Sequence, residues 1–201
     1  MSDEGGKPTD WVTMKIEPYI FEELGVRDPE DTKREMAIAK RVRKARKDLK
    51  TDPSNIELQI ELGTLYIDGR EFDEAIKQLK QVVSRDRKNG HAYKLLGTAY
   101  GMSNHEDEAI RELGRAAELI KDDPEIHCNL GGVFMLKDMF ENATRCFKQV
   151  LELDPMDTIG YANLAAAYDM QKMFDEEIIV LKKALMFSPE DKELRSALST
   201  A

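Results

Sequence analysis

Residues 56–89 read IELQIELGTLYIDGREFDEAIKQLKQVVSRDRKN. Leu58, Leu62, Leu65 and Tyr66 recur at three- and four-residue steps, so a helix over this stretch carries them as one apolar stripe. Asp68-Gly69-Arg70-Glu71 breaks the pattern with a turn. Phe72, Ala75, Ile76, Leu79, Val82 and Val83 then form a second stripe. The stretch therefore reads as two antiparallel helices with a short connection. The same pattern returns along the chain. Leu62-Gly63, Leu96-Gly97, Leu130-Gly131 and Leu164-Ala165 stand 34 residues apart, and Tyr66, Tyr100, Phe134 and Tyr168 follow each small residue three places later. A fixed period in this range marks stacked copies of one supersecondary unit. A single helix pair cannot bury both its stripes, so each copy needs neighbours. The expected fold class is all-α.

The small residues predict a steric role. Gly63, Gly97, Gly131 and Ala165 are expected where the first helix of a unit meets the second, answered there by Ala75, Ala109 and Ala143. Leu79, Leu113, Phe147 and Leu181 are expected to fill the gaps between units, each contributing about 1.5–3 kcal/mol when buried. Asp123-Pro124 places a capping carboxylate before a proline suited to a first helical position. Asp157 and Asp191 are the expected caps of the next two helices, after Pro155 and Pro189 have ended the preceding ones.

These residues resemble the tetratricopeptide repeat. The third copy reads Leu130-Gly131, Phe134, Ala143, Phe147, Val150, Pro155, and the fourth Leu164-Ala165, Tyr168, Leu181, Ala184, Pro189. The resemblance covers roughly residues 53–191 and implies an α-solenoid, a right-handed superhelix of stacked antiparallel helix pairs. Three departures stand out. The family's tryptophan position holds Gln59, Tyr93, His127 and Tyr161, and its proline position holds Arg87 and Lys121 in the first two copies. Glu177 replaces the small alanine of the last second helix. A buried unpaired carboxylate is costly, so the last helix is expected to shift until Glu177 reaches solvent.

The resemblance also implies a binding surface, because in this family the first helix of each pair lines the concave face. The positions carried over as a peptide-binding groove are Ile60, Thr64 and Ile67 in the first repeat and His91, Lys94, Thr98 and Met102 in the second. They are Cys128, Asn129, Met135 and Leu136 in the third, and Ala162, Asn163 and Met170 in the fourth. Members that clamp a terminal carboxylate use cations and asparagines on successive repeats. Here Lys94 and Asn129 match two such positions, but Thr98, Ile159 and Asn163 occupy others. A charged clamp is therefore not expected. Methionine and small side chains suit an adaptable apolar surface. The expected function is a non-enzymatic adaptor or scaffold binding an apolar peptide or amphipathic helix, with a chaperone-like version resembling small secretion chaperones. The alternative is a self-assembling scaffold that docks its N-terminal segment or C-terminal end into a neighbouring molecule.

The flanks divide the chain further. Residues 1–31 are an acidic segment, expected to be partly disordered, with an apolar island that includes Trp11, Tyr19, Phe21 and Leu24. That island either covers the first repeat or docks into a partner or the chain's own groove. Residues 32–52 predict a basic amphipathic helix with Ile38, Val42, Ala45 and Leu49 on one face. It reads as the second helix of a degenerate leading repeat, or as a contact for an acidic surface such as a membrane through residues 33–50. Four repeats are expected over 53–191, and a truncated capping helix over 192–201, where self-association into a homo-oligomer is conceivable. The net charge of −9 over 201 residues argues against a nucleic-acid binder. The N-terminal residues lack the apolar core of a secretory signal, and Cys128 and Cys146 lie in no paired motif, so a cytoplasmic location is expected. Gly131-Gly132 falls inside a helix rather than in a phosphate-binding loop, and His91, His105 and His127 are isolated. No catalytic residue, metal or cofactor is expected.

Overall fold

The computed structural model describes residues 29–201. Their helices are α1 (Pro29–Thr51), α2 (Ile56–Asp68), α3 (Phe72–Arg85), α4 (Gly90–Met102), α5 (Glu106–Leu119), α6 (Pro124–Leu136), α7 (Phe140–Leu153), α8 (Thr158–Met170), α9 (Phe174–Phe187) and α10 (Lys192–Thr200). No strand occurs among the described residues. The helices alternate, 13 residues for the first of each pair and 14 for the second, from α2 to α9. The described chain forms two compact units, residues 29–129 and 130–201, with the boundary inside α6.

Each pair is closed by the same turn. The carbonyls of Tyr66, Tyr100, Phe134 and Tyr168 accept from the N–H groups of Glu71, His105, Met139 and Met173 at 2.8–3.0 Å. The residue before each donor, Arg70, Asn104, Asp138 or Lys172, takes a left-handed φ of 55–59°. That conformation lets the chain reverse and satisfies a carbonyl the helix end leaves open. Gly69, the conspicuous glycine of the first turn, has φ −87° and caps α2 instead. Caps mark the other ends. Asp157 accepts from the Ile159 N–H at 3.0 Å and Asp191 from Glu193 and Leu194 at 2.9 and 3.1 Å. Asp123 accepts from Glu125 at 3.0 Å. Asn55 and Asn89 cap α2 and α4 through Leu58 and Ala92, both at 2.9 Å.

The nearest neighbours of the glycines are the bulky residues of the second helix. A Cβ on Gly63 would lie 2.7 Å from the Leu79 side chain, one on Gly97 2.6 Å from Leu113, and one on Gly131 2.4 Å from Phe147. The large residues expected between units are therefore wedged between the two helices of one unit. Leu79 and Leu113 are fully buried, and Phe147 and Leu181 nearly so. In residues 130–201 the core joins Met135, Phe147, Leu164 and Tyr168 in one cluster and Tyr161, Ala165, Leu181 and Leu194 in another.

Cations cover the aromatic shoulders. Lys80 lies 5.3 Å above the Tyr100 ring and Lys148 5.5 Å above Tyr168, in each case twenty residues apart. Two of the four tryptophan positions are also explained. Gln59 Nε2 donates to the Pro53 carbonyl at 2.9 Å and the Tyr161 hydroxyl to the Pro155 carbonyl at 3.1 Å, six residues back in both cases. Each polar tip ties its helix to the preceding loop while its body stays buried.

Glu177 corrects an expectation. Helix α9 does not shift: it begins 34 residues after α7, as α7 does after α5. Glu177 is 8% exposed and its Oε2 has no hydrogen-bond partner among the described residues. The turn bond from Met173 to Tyr168 and the burial of Leu181 and Ala184 hold the register, and the carboxyl is carried inward with it. Burial, and then the charge of Asp169, push its pKa above the ordinary glutamate value.

Candidate functional site

The first helices of the pairs, α2, α4, α6 and α8, position the residues singled out by resemblance. In residues 29–129, Ile60, Thr64 and Ile67 of α2 are half-buried. On α4, His91 is exposed, while Thr98 and Met102 are half-buried. Cys128 and Asn129 of α6 are half-buried as well. In residues 130–201, Leu136 is 51% exposed, and Ala162, Asn163 and Met170 of α8 are half-buried. Met135 is different. It is 7% exposed and packs in the core with Phe147 and Tyr168, so it offers no surface for a ligand. One residue further, a 100° turn of the helix brings Leu136 out. The island residues Trp11, Tyr19, Phe21 and Leu24 lie outside the described residues.

The polar groups on these helices are engaged with one another. Lys94 is buried, and its Nζ donates to Asp123 Oδ2 at 2.9 Å and Glu125 Oε2 at 2.8 Å. Burial alone would lower the ammonium's pKa, but the hydrogen bonds to Glu125 and Asp123 outweigh it and raise the value above that of an ordinary lysine. Asn129 Nδ2 donates to Thr98 Oγ1 at 3.0 Å, and that hydroxyl donates to the Lys94 carbonyl at 2.9 Å. The two residues that match a carboxylate clamp are thus tied into the packing of α4 and α6 within residues 29–129. Sequence spacing could not have shown this, because Asp123 and Glu125 lie 29 and 31 residues from Lys94.

Residues 29–129 also carry a cleft. A cleft of about 420 Å³ is bounded by Arg46, Leu49 and Lys50 of α1, Leu62 and Tyr66 of α2, and Glu71, Glu74, Lys77, Gln78 and Gln81. Its lining mixes cations and carboxylates with Leu49, Leu62 and Tyr66. Burial raises the Tyr66 phenol's pKa. Arg46 and Lys50 of α1 therefore share this cleft with Glu71 and Glu74, and Arg41 reaches Glu61 at 3.2 Å. The mixed lining was not legible beforehand because it joins three helices.

One pairing invites a chemical reading. Ser103 Oγ lies 3.1 Å from His105 Nδ1. The same hydroxyl is 2.9 Å from the Ala99 carbonyl and 3.1 Å from that of Tyr100. With its single proton on a carbonyl, the serine accepts from the histidine tautomer protonated at Nδ1. The contact belongs to the α4–α5 turn. Among the described residues no group of three His, Cys, Asp or Glu side chains could hold a metal ion, and no helix is long and apolar enough to cross a membrane.

Comparison with known proteins agrees with the fold. No curated protein matches the chain. Two crystal structures of MamA are similar to it at 27% and 28% identity, with TM-scores of 0.72 and 0.73. They cover 82% and 84% of this chain and 90% and 99% of their own. YrrB, described as a TPR protein with an unusual peptide-binding site, is 24% identical with a TM-score of 0.67, over 85% of this chain and 84% of its own; that likeness is one of fold. Models of the tetratricopeptide repeat match residues 35–112 and 124–156. The first match begins inside α1, so the basic helix is counted with the repeats. With helix lengths, turns and wedged glycines recurring at this period, and two matches to its models, the chain belongs to the tetratricopeptide repeat family and is a protein–protein interaction module.

Proposed function

We propose that this protein is a non-enzymatic adaptor that holds an apolar peptide segment or an amphipathic helix against the first helices of its repeats. The observation that carries the reading is the engagement of Lys94, Asn129 and Thr98 with neighbouring side chains and backbone. With those groups occupied, what these helices offer a ligand is Ile60, Ile67, Met102, Leu136, Ala162 and Met170. Such side chains gain from covering apolar surface and supply no fixed charge for a terminal carboxylate. Methionines at two of these positions let the surface repack around differing apolar segments. A chaperone-like holder of unassembled segments is one form of this activity. YrrB, described as a TPR protein with a peptide-binding site of its own, supports the reading by likeness of fold.

Selection of peptides from a displayed library against the full chain tests the reading. Recovered sequences should carry apolar residues at i, i+3 or i+4, and Leu136→Arg should weaken their binding by about tenfold or more. Leu136 is half in solvent, so the substitution leaves the fold intact. Recovery of peptides that depend on a free C-terminal carboxylate, or binding indifferent to Leu136→Arg, would overturn it.

A further inference from the structure

The second helices of the repeats give an internal comparison of one surface made four times. The outward position held by Lys77, Arg111 and Arg145 in α3, α5 and α7 holds Ile179 in α9. The position held by Ser84, Glu118 and Glu152 holds Met186. The six polar residues are exposed. So are their apolar replacements: Ile179 is 66% and Met186 78% exposed. Only the last copy sets two large apolar side chains in water two helical turns apart, on the face away from Leu181 and Ala184.

That face has also lost a cation. In α3, α5 and α7 the central cation stands four residues after an acid: Asp73 and Lys77, Asp107 and Arg111, Glu141 and Arg145. This is the spacing at which a helix satisfies its own charges. In α9 the acids Asp175 and Glu176 stay in place but the four-residue cation is lost to Ile179, which leaves Lys182 and Lys183, seven residues away, in columns that already hold Lys80 and Lys148 and Arg115. Seven residues rise about 10.5 Å, too far for a pair within one helix. None of Asp175, Glu176 and Lys182 is in an ion pair among the described residues. Lys183 rests over the Tyr161 ring at 5.4 Å, with its side chain still exposed.

We infer that the outer face of α9 is a self-complementary contact for a second copy of this chain, with the two α9 helices antiparallel about a two-fold axis near Ile179. In that arrangement residue i faces the partner helix at reversed height. Ile179 meets its own counterpart. Asp175 comes level with Lys182 of the second copy, and Glu176 with Lys183, on matching sides of the seam. The spacing that prevents pairing within one helix permits it between two. This surface is separate from the first-helix faces assigned to peptides, so either can fail without the other.

Sedimentation equilibrium of the full chain from about 1 μM to about 1 mM tests the inference. Wild type should show a concentration-dependent dimer. Ile179→Arg, which restores the residue type of positions 111 and 145, should raise the dimer dissociation constant about 100-fold, one tenfold step for each isoleucine lost. Lys182→Glu with Lys183→Glu should weaken the dimer, and adding Asp175→Lys with Glu176→Lys should restore it, because both sides of each pair are then inverted. Wild type that stays monomeric throughout would overturn the inference, and so would a dimer indifferent to Ile179→Arg. Failure of the four-fold charge inversion to restore association, with helical circular dichroism retained, would do the same.

Discussion

Adding one methyl group at two glycines should move stability in opposite directions. Gly97 and Gly114 are both interior to helices, in α4 and α5. Exchanging glycine for alanine in such a position gains about 0.5–1 kcal/mol from reduced backbone entropy alone. At Gly114 a Cβ would meet nothing within 4 Å, so the gain should appear whole. At Gly97 the new Cβ would lie 2.6 Å from Leu113 Cγ and 2.9 Å from the Leu113 backbone nitrogen. A side chain can rotate away, but a backbone nitrogen moves only if α5 moves. Overpacking of this kind costs about 1–3 kcal/mol. The net expectation is about 0.5–2 kcal/mol of destabilisation for Gly97→Ala, against about 0.5–1 kcal/mol of stabilisation for Gly114→Ala. Urea unfolding followed by circular dichroism reads both, provided the slope of the transition is unchanged between variants. The fourth repeat carries alanine at the matching position, Ala165, beside Leu181. If Gly97→Ala equals or exceeds Gly114→Ala in stability, the close approach of the paired helices does not require glycine and the steric account fails.

Three other substitutions follow from the same structure. Glu177→Ala should stabilise the protein at neutral pH by about 1–3 kcal/mol, the cost of an unsatisfied buried polar group, measured by urea unfolding. The raised pKa of Glu177 means its native form holds a proton the unfolded chain has lost. Its contribution is therefore present below the ordinary glutamate pKa and fades as pH rises through the raised value, so wild type and Glu177→Ala should diverge as pH climbs through that window and agree in acid. Lys94→Ala should cost about 2 kcal/mol, toward the low end for a buried pair because Glu125 is 64% exposed, and peptide affinity should change less than stability. Lys94's raised pKa keeps its contribution whole below the ordinary lysine pKa and removes it as pH rises through the raised value, so the two proteins should differ at neutral pH and converge in an alkaline scan. Lys172→Gly should raise the melting temperature by about 2–4 °C, since φ 57° is unfavourable for a side chain by about 1 kcal/mol.

The helix pairs, their period and the capping aspartates were legible because each depends on residues a few places apart. The partner of each glycine was not. The alanine and the large residue of the second helix share one face at four-residue spacing, and only the three-dimensional contact shows which is touched. The turns misled differently: Gly69 drew attention by its type, while the left-handed residue next to it is an arginine, held there by the bond to Tyr66. Glu177 failed because a local cost was set against a register held by the whole α8–α9 pair. On the candidate surface, the positions taken from the resemblance include both Leu136, half in solvent, and Met135, buried in the core, because neighbouring positions on a helix face different ways. The pairing of Lys94 crosses about thirty residues and left no local mark. The apolar change on α9 was visible in the repeated columns, but its meaning depended on knowing that the face is exposed.

The claim that peptides lie on the first helices is tested most directly by methyl NMR of the full chain during titration with a selected apolar peptide. Shifts should concentrate in the methyl groups of Ile60, Ile67, Met102, Leu136, Ala162 and Met170, while Ile110 and Ile179 of the second helices stay unmoved. Shifts confined to the second helices, with the first-helix methyls unchanged at saturation, would contradict the account.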